Sequence, residues 1–364
     1  MEPLQTVYLG GGTPSLLPPE LLKHLLKGLR SLYDFGSITE FSAEVNPGTL
    51  TRKWMETATS LGVNRISMGA QSFQPAILQT LGRIHTVEQI RSSVSLIRAA
   101  GIRNLSLDLM FGIPGQTLSD WHETLECALE LEPEHLSVYG LILEENTLLK
   151  REVDAGCLVL PEPELERDMY DLAIRTLASR GFEQYEISNF ARAGFACQHN
   201  IGYWQQIPYL GLGLSAASMF PLDRLSSSAR DSLHLPDAPS EPGFPCLRQT
   251  NPAALSDYES MIRRPSSGIA APQRVTERIS AREARFETLM LGLRMNSGVS
   301  EKRFETLHRV SMVNIYGEKL RMLQDNGLLI HQDGSWRLTR RGMDIQNSVL
   351  VELMEECSKE DGIS

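Results

Sequence analysis

Over the first 190 or so residues of this chain, short apolar segments alternate six times with helix-length amphipathic ones. That alternation restricts the fold more than any other feature. Strands are expected at 6–9, 41–45, 65–68, 105–110, 136–141 and 184–187, with helices at 19–32, 52–61, 87–100, 118–131 and 164–179. Several of these helices begin at Ser, Thr or Pro and end near Gly, the start and stop chemistry of a helix. Parallel strands need a long crossover, usually helical, and the pattern supplies one each time. It therefore predicts repeated βα units on a parallel sheet. Six units without a break favour one α/β domain, a partial (β/α) barrel over 1–220.

Residues 221–275 change character. From Ser226 to Pro245 the chain is rich in Ser, Pro and Asp without apolar periodicity, and is expected to be a surface loop or insertion. Beyond it, 276–364 reads as a helical domain, with helices at 284–295, 301–307, 313–326 and 342–355. Strands at 328–331 and 335–338 flank Gln332-Asp333-Gly334, a hairpin signal. Helices followed by a hairpin resemble a winged helix. The helix that would read DNA carries Glu318, Lys319, Arg321 and Asp325, two charges of each sign. A phosphate backbone gains little there, so a protein-contact or lid role is expected instead.

Composition narrows the partners. The 364 residues carry a net charge of −10, which disfavours nucleic acid. No apolar stretch approaches the ~20 residues of a membrane-spanning helix. The five cysteines, Cys127, Cys157, Cys197, Cys246 and Cys357, are scattered and form no C-x-x-C-like motif, so no metal site is expected from them. The chain runs almost at once into its first apolar segment, with neither a basic leader nor a signal-peptide core.

Four constellations could carry chemistry. Gly10-Gly11-Gly12-Thr13-Pro14 follows the first strand, where successive N–H groups can hold an anion, though a tight βα turn explains it equally well. Glu44, Gln71 and Asp108 stand in or just after apolar strands. A buried carboxylate costs several kcal/mol unless paired. Three such residues near strand ends, where barrels bind ligands, favour a functional reading over three separate structural pairings. With Arg83 as a counter-charge for a carboxylate, they would suit a cationic ligand with an amino-acid end and a ribose; Arg83 could equally form a surface ion pair. The turn 111–117 is read as structural, with Thr117 as a helix cap. Last, His199 lies beside Tyr203 and Trp204. It could ligate haem iron while rings cover a porphyrin face, although a hydrogen-bonded core histidine is commoner.

The ordered series GGGTPS, AEVNPG, NRISMGAQSF, LGRIHT, LDLMFGIPGQT, HLSVYGL and HNIGYW resembles the radical SAM family, in the haem-chaperone (HemW-type) branch related to oxygen-independent coproporphyrinogen III oxidase. The resemblance implies a radical SAM barrel with a winged-helix-like C-terminal domain. It also implies S-adenosyl-L-methionine contacts at Gly11, Gly12, Thr13, Glu44, Gln71, Arg83 and Asp108, and haem (heme) binding, for which His199 in HNIGYW is the candidate residue with the iron ligand left open. HNIGYW fits the chaperone branch, whose members carry heme to accepting proteins; the alternative is an oxidase-like radical enzyme of porphyrin synthesis, and a third is an interaction product using the C-terminal domain. Animal relatives of this type are mitochondrial; with no leader, a cytoplasmic place stays open. The family holds a [4Fe-4S] cluster on C-x-x-x-C-x-x-C, which this sequence lacks. Radical chemistry is therefore not expected of this form, and no catalytic residue is assigned.

Anaerobic reconstitution of the 364-residue chain with iron and sulfide should accordingly leave no cluster absorption bands. Stoichiometric four-iron binding would show that the scattered cysteines suffice.

Overall fold

A computed structural model of the chain describes residues 4–227, 245–263 and 274–359. It divides into two compact units, Met1–Ile201 and Gly202–Ser364.

The first unit is built on a seven-stranded sheet. Five parallel strands stand in sequence order: β1 (Thr6–Leu9), β2 (Glu40–Val45), β3 (Arg65–Gln71), β4 (Asn104–Phe111) and β5 (His135–Gly140). The crossovers contain α1 (Pro19–Leu32), α2 (Arg52–Ser60), α3 (Pro75–Thr80), α4 (Val87–Ala99) and α5 (Leu118–Leu129). After β5 come α6 (Leu148–Asp154) and α7 (Pro163–Ser179). Local chemistry starts these helices as expected. Proline opens α1, α3 and α7, while Thr86 and Thr117 form reciprocal capping boxes with Gln89 and Asp120.

Side chains alternate across a strand, so each strand of this sheet has two fates. Phe41, Ala43, Ile66, Met68, Leu105, Leu107, Leu136 and Val138 lie under the helices in one core. Trp121 on α5 joins that core and donates from Nε1 to the Met169 carbonyl of α7 at 2.8 Å.

The last expected strand, 184–187, departs from the parallel pattern. The chain instead makes β6 (Glu183–Gln184) and β7 (Asn189–Ala191), with β7 antiparallel to both β5 and β6. A tight turn causes this: buried Glu186 accepts from Ser188 N (2.8 Å) and Asn189 Nδ2 (2.6 Å), so the chain folds back on itself. The helix α8 (Gln198–Trp204) follows.

In the second unit, the segment expected as loop contains regular structure. β8 (Ala217–Pro221), β9 (Cys246–Thr250) and β10 (Val275–Ile279) form an antiparallel sheet with β9 in the middle, and α9 (Leu255–Arg263) lies between β9 and β10. These strands pair across long sequence gaps, so no local hairpin signal announces them. Most of the expected loop 226–245 lies outside the described residues.

The remainder is winged-helix-like, with α10 (Ala281–Gly292), β11 (Val299–Ser300), α11 (Glu301–His308) and α12 (Met312–Asp325). The hairpin β12 (Leu329–Gln332) and β13 (Ser335–Leu338) pairs with β11. The single last helix expected is two, α13 (Arg340–Asp344) and α14 (Gln346–Lys359), because Ile345 leaves helical geometry at φ −121°, ψ 33°. On α12, Lys319 pairs with Glu352 of α14 at 2.6 Å, which further removes positive charge from that helix.

His308 sits fully buried in this unit, bonded through Nε2 to Thr288 Oγ1 at 2.8 Å. Burial, helped by nearby Arg285, pushes its pKa down to about 4. The folded unit thus demands a neutral ring. That stability is complete above the unfolded value of ~6.5 and is lost as pH falls from there toward about 4. Denaturant unfolding should show a loss of about 2 kcal/mol between pH 7.5 and pH 5 that His308→Gln removes; identical pH dependence in both proteins would refute the assignment.

Candidate functional site

The face of the first sheet that turns away from the core helices is polar. Register places Thr6 beside Glu40, Ser42 beside Arg65, Glu44 beside Ser67, Ser106 beside His135 and Asp108 beside Ser137. Glu40, Ser42, Arg65, Ser67, Ser106, His135 and Ser137 are all buried there. One polar residue within an apolar strand is a curiosity, but a row of them across five strands is a constructed surface.

At the C-terminal ends of the strands, Glu44 organises the glycine loop. Its carboxylate accepts from Tyr8 Oη at 2.8 Å and from Gly11 N at 3.3 Å. Gly10 has no room for a side chain, since a Cβ would stand 2.7 Å from the Tyr8 ring. Gly11 and Gly12 have φ of 79° and 105° and open space where a Cβ would be, so their backbone is left free to approach a ligand. Thr13 Oγ1 accepts from Asn46 Nδ2 at 2.8 Å, tying this loop to the end of β2. Gln71 is buried with φ 66°, at an irregularity in the β3–β4 pairing, and its amide lies 2.9 Å from where a Gly69 Cβ would be. Arg83 is exposed in the turn after α3, with no hydrogen bond or ion pair from its side chain to the other members of the set. Its neighbour His85 is anchored to the Ala70 carbonyl at 3.2 Å.

Asp108 occupies the middle of the face. It accepts from Ser67 Oγ at 3.1 Å and Ser106 Oγ at 3.4 Å. Burial raises its pKa, against the opposing hydrogen bonds of Ser137 and Ser67 and the charge of Arg65. Ser106 passes the network on to His135, which bridges Ser106 Oγ and Tyr185 Oη, both at 2.8 Å. Burial and Arg65 hold His135 well below its usual pKa, so it is neutral.

His199 enters the same face from α8. Its Nδ1 bonds Thr6 Oγ1 at 2.9 Å and its ring stacks on Tyr8 with centroids 4.9 Å apart. Glu40 accepts from the backbone N–H groups of Gln198 (2.8 Å) and His199 (3.1 Å), and from the Cys197 thiol at 3.4 Å. Burial lowers the His199 pKa, Glu40 working against it. Tyr8 therefore touches both halves of the site, with its hydroxyl on Glu44 and its ring on His199. Contacts bring Gly11, Glu44 and His199 into one chain, with Asp108 beside them through Ser67. Gln71 and Arg83 are joined to the others by no side-chain hydrogen bond among the described residues.

Sequence reasoning missed Tyr8, Glu40, Arg65, His135 and Tyr185. For the first four a signal existed: polar residues at every second position of otherwise apolar strands. Tyr185 carries none, because the turn before β7 brings it in. Within the aromatic motif the rings differ. Trp204 is covered by the Arg294 guanidinium at 4.5 Å and its Nε1 is buried, whereas Tyr203 is exposed.

The fit to an iron–sulfur cluster is poor. Cys127 lies on α5, Cys157 is exposed, and Cys197 and Cys246 are buried in different units. Among the described residues no three His, Cys, Asp or Glu side chains stand together as metal ligands would. The described thiols do not suit such a group, and no chemical step runs through one.

Comparison with known proteins gives a consistent result. The Radical SAM superfamily matches residues 1–128, and the HemN C-terminal domain matches residues 279–345. The heme chaperone HemW of Lactococcus lactis is 32% identical over 97% of this chain and 86% of that protein. Its Bacillus subtilis counterpart is 34% identical with the same coverage. The mitochondrial radical S-adenosyl methionine domain-containing protein 1 of Danio rerio is 31% identical, over 97% of this chain and 76% of that protein. Among solved structures, coproporphyrinogen III oxidase (HemN) from Escherichia coli superposes with a TM-score of 0.74 over 96% of this chain and 77% of its own, at 21% identity, a likeness of fold.

The carboxylate of Glu40 is a buried acceptor for the start of α8. Glu40→Gln should cost the first unit roughly 1–3 kcal/mol in denaturant unfolding, since an amide offers one acceptor oxygen where two are used. Unchanged stability would show that α8 is held by its other contacts.

Proposed function

Because this chain belongs to the radical SAM family, in its HemW heme-chaperone branch, we propose that it binds haem and passes it to haem-accepting proteins. The observation that carries this is full-length similarity: the L. lactis and B. subtilis heme chaperones match across 97% of the chain, through both structural units. The oxidase-like reading has weaker support, since the likeness to HemN is one of fold at 21% identity. The family also uses S-adenosyl-L-methionine and a [4Fe-4S] cluster, and the polar face suits the first of these.

S-adenosyl-L-methionine would supply a sulfonium cation beside an amino acid and a ribose. The polar face carries the carboxylates Glu40, Glu44 and Asp108 against the guanidinium of Arg65, with His135 and His199 held toward neutrality. That excess of negative charge favours a cation. Gly11, Gly12 and Thr13 would lie along the amino-acid end, Glu44 and Asp108 would hold donors and positive charge, and Gln71 would contact the ligand at the strand ends. Arg83 would reach it only by a change of its exposed side chain. Haem would be cargo, with His199 as the proposed iron ligand. Its Nδ1 is bonded to Thr6 Oγ1 in the structure.

Relatives named mitochondrial exist in Danio rerio and Bos taurus, and bacterial heme chaperones match equally well. We favour the mitochondrion on the animal relatives. No helix among the described residues is long and apolar enough to cross a membrane.

Titration with haem should produce a Soret band. His199→Ala should shift that band and weaken binding by about tenfold or more, well beyond the effect of Tyr203→Phe. Glu44→Gln keeps an acceptor for Tyr8 and should leave haem unchanged while weakening S-adenosyl-L-methionine in calorimetry by about tenfold. An unaltered spectrum in folded His199→Ala would remove His199 from the site.

A further inference from the structure

The segment following the aromatic motif combines two properties that rarely coexist. It is apolar and exposed, yet its backbone is fastened. Tyr203, Ile207, Leu210, Leu212 and Leu214 keep 38%, 40%, 44%, 54% and 45% of their surface exposed. Ordinarily such side chains turn inward, because each buried leucine gains about 1.5–3 kcal/mol. Here the main chain prevents it. Tyr209 and Met219 exchange both backbone hydrogen bonds, at 3.2 and 2.9 Å. Gly211 N donates to Ser218 Oγ at 2.9 Å, Gly213 N to Tyr258 Oη at 3.0 Å, and Asn251 Nδ2 to the Gly213 carbonyl at 2.7 Å. Gly211 lies so close to Ala217 that a Cβ would stand 2.1 Å from its carbonyl oxygen. The leucines are thus displayed on a rigid ribbon without a cover among the described residues.

Positive charge stands at one end of this ribbon. Arg303 is exposed, and its guanidinium bonds the carbonyl of Gln205, two residues after Tyr203. Among the described residues it forms no ion pair with a carboxylate. Apolar area with an adjacent cation is complementary to a flat apolar ring that carries carboxylates at its edge. A purely acidic peptide would leave the leucines unused, and a purely apolar surface would leave Arg303 unused.

Resting on the haem-chaperone reading above, we infer that this ribbon is the seat of the porphyrin ring, with Leu210, Leu212, Leu214 and Tyr203 against a macrocycle face and Arg303 on a propionate. The seat recognises the ring and its carboxylates, so it requires no iron.

The full chain is titrated with ferric haem, followed by the Soret band, and with metal-free protoporphyrin IX, followed by fluorescence. The Leu212→Glu, Leu214→Glu double variant weakens both ligands by about tenfold or more, with an unchanged melting curve. Arg303→Gln weakens both by about threefold or more. Leu25→Glu, at a leucine on α1 with 43% of its surface exposed, changes neither. Should the double variant fail to fold, Leu212→Gln serves, with about threefold weakening expected. Wild-type affinity for both ligands in the folded leucine variants overturns the seat. So does a result in which they dissolve a dimer without touching porphyrin affinity, which makes the ribbon a contact between copies. A wild-type chain that binds neither porphyrin fails the chaperone reading itself, and the seat with it.

Discussion

The two-residue period of the parallel strands governs everything in the first unit. It sends Phe41, Ile66, Leu105 and Leu136 beneath the helices, where burial drives folding, and sends Glu40, Arg65, Ser106 and His135 to the other face. A slip of one residue in register would exchange the two sets. It would place a guanidinium and several carboxylates in hydrocarbon, at several kcal/mol each. The polar face is therefore fixed by the same pairing that makes the core, and the site is as rigid as the sheet.

Charge on that face is balanced locally but not in total. Arg65 is almost fully buried and bonds Ser42, which in turn bonds Glu40. Asp108 relies on serine hydroxyls, and His135 and His199 are kept toward neutrality by burial. A surface of this kind favours a cation. An apolar ribbon with an adjacent arginine, in the second unit, has the opposite character. Two chemically unlike surfaces thus stand on one chain.

Much of the candidate site is legible in the order of residues alone. Glu44 and Asp108 stand out because a carboxylate between aliphatic residues in a strand demands a partner. Gly11 and Gly12 stand out because consecutive glycines after a strand release the backbone. Tyr8, Glu40 and Arg65 do not, although they obey the same alternation, since a tyrosine or an edge-of-strand charge is ordinary in isolation. Arg83 reads as a member of the set in sequence but stands exposed in its turn. Its place in the sequence says that it follows a helix near the strand ends, and nothing about where a long flexible side chain will rest.

The sequence by itself determined the βα alternation, the helix caps, the winged-helix-like end and the family, because each is written in local periodicity, capping chemistry or contiguous motifs. Only the tertiary structure decided the rest. It folded 183–191 into an antiparallel hairpin instead of a sixth parallel strand, around the buried carboxylate of Glu186. It found a three-stranded sheet where composition suggested loop. It set His199 on Tyr8, 191 positions away in the chain, and so joined the last motif to the first strand. Such contacts depend on which distant segments meet once the strands are in register, and no local window of residues encodes that meeting.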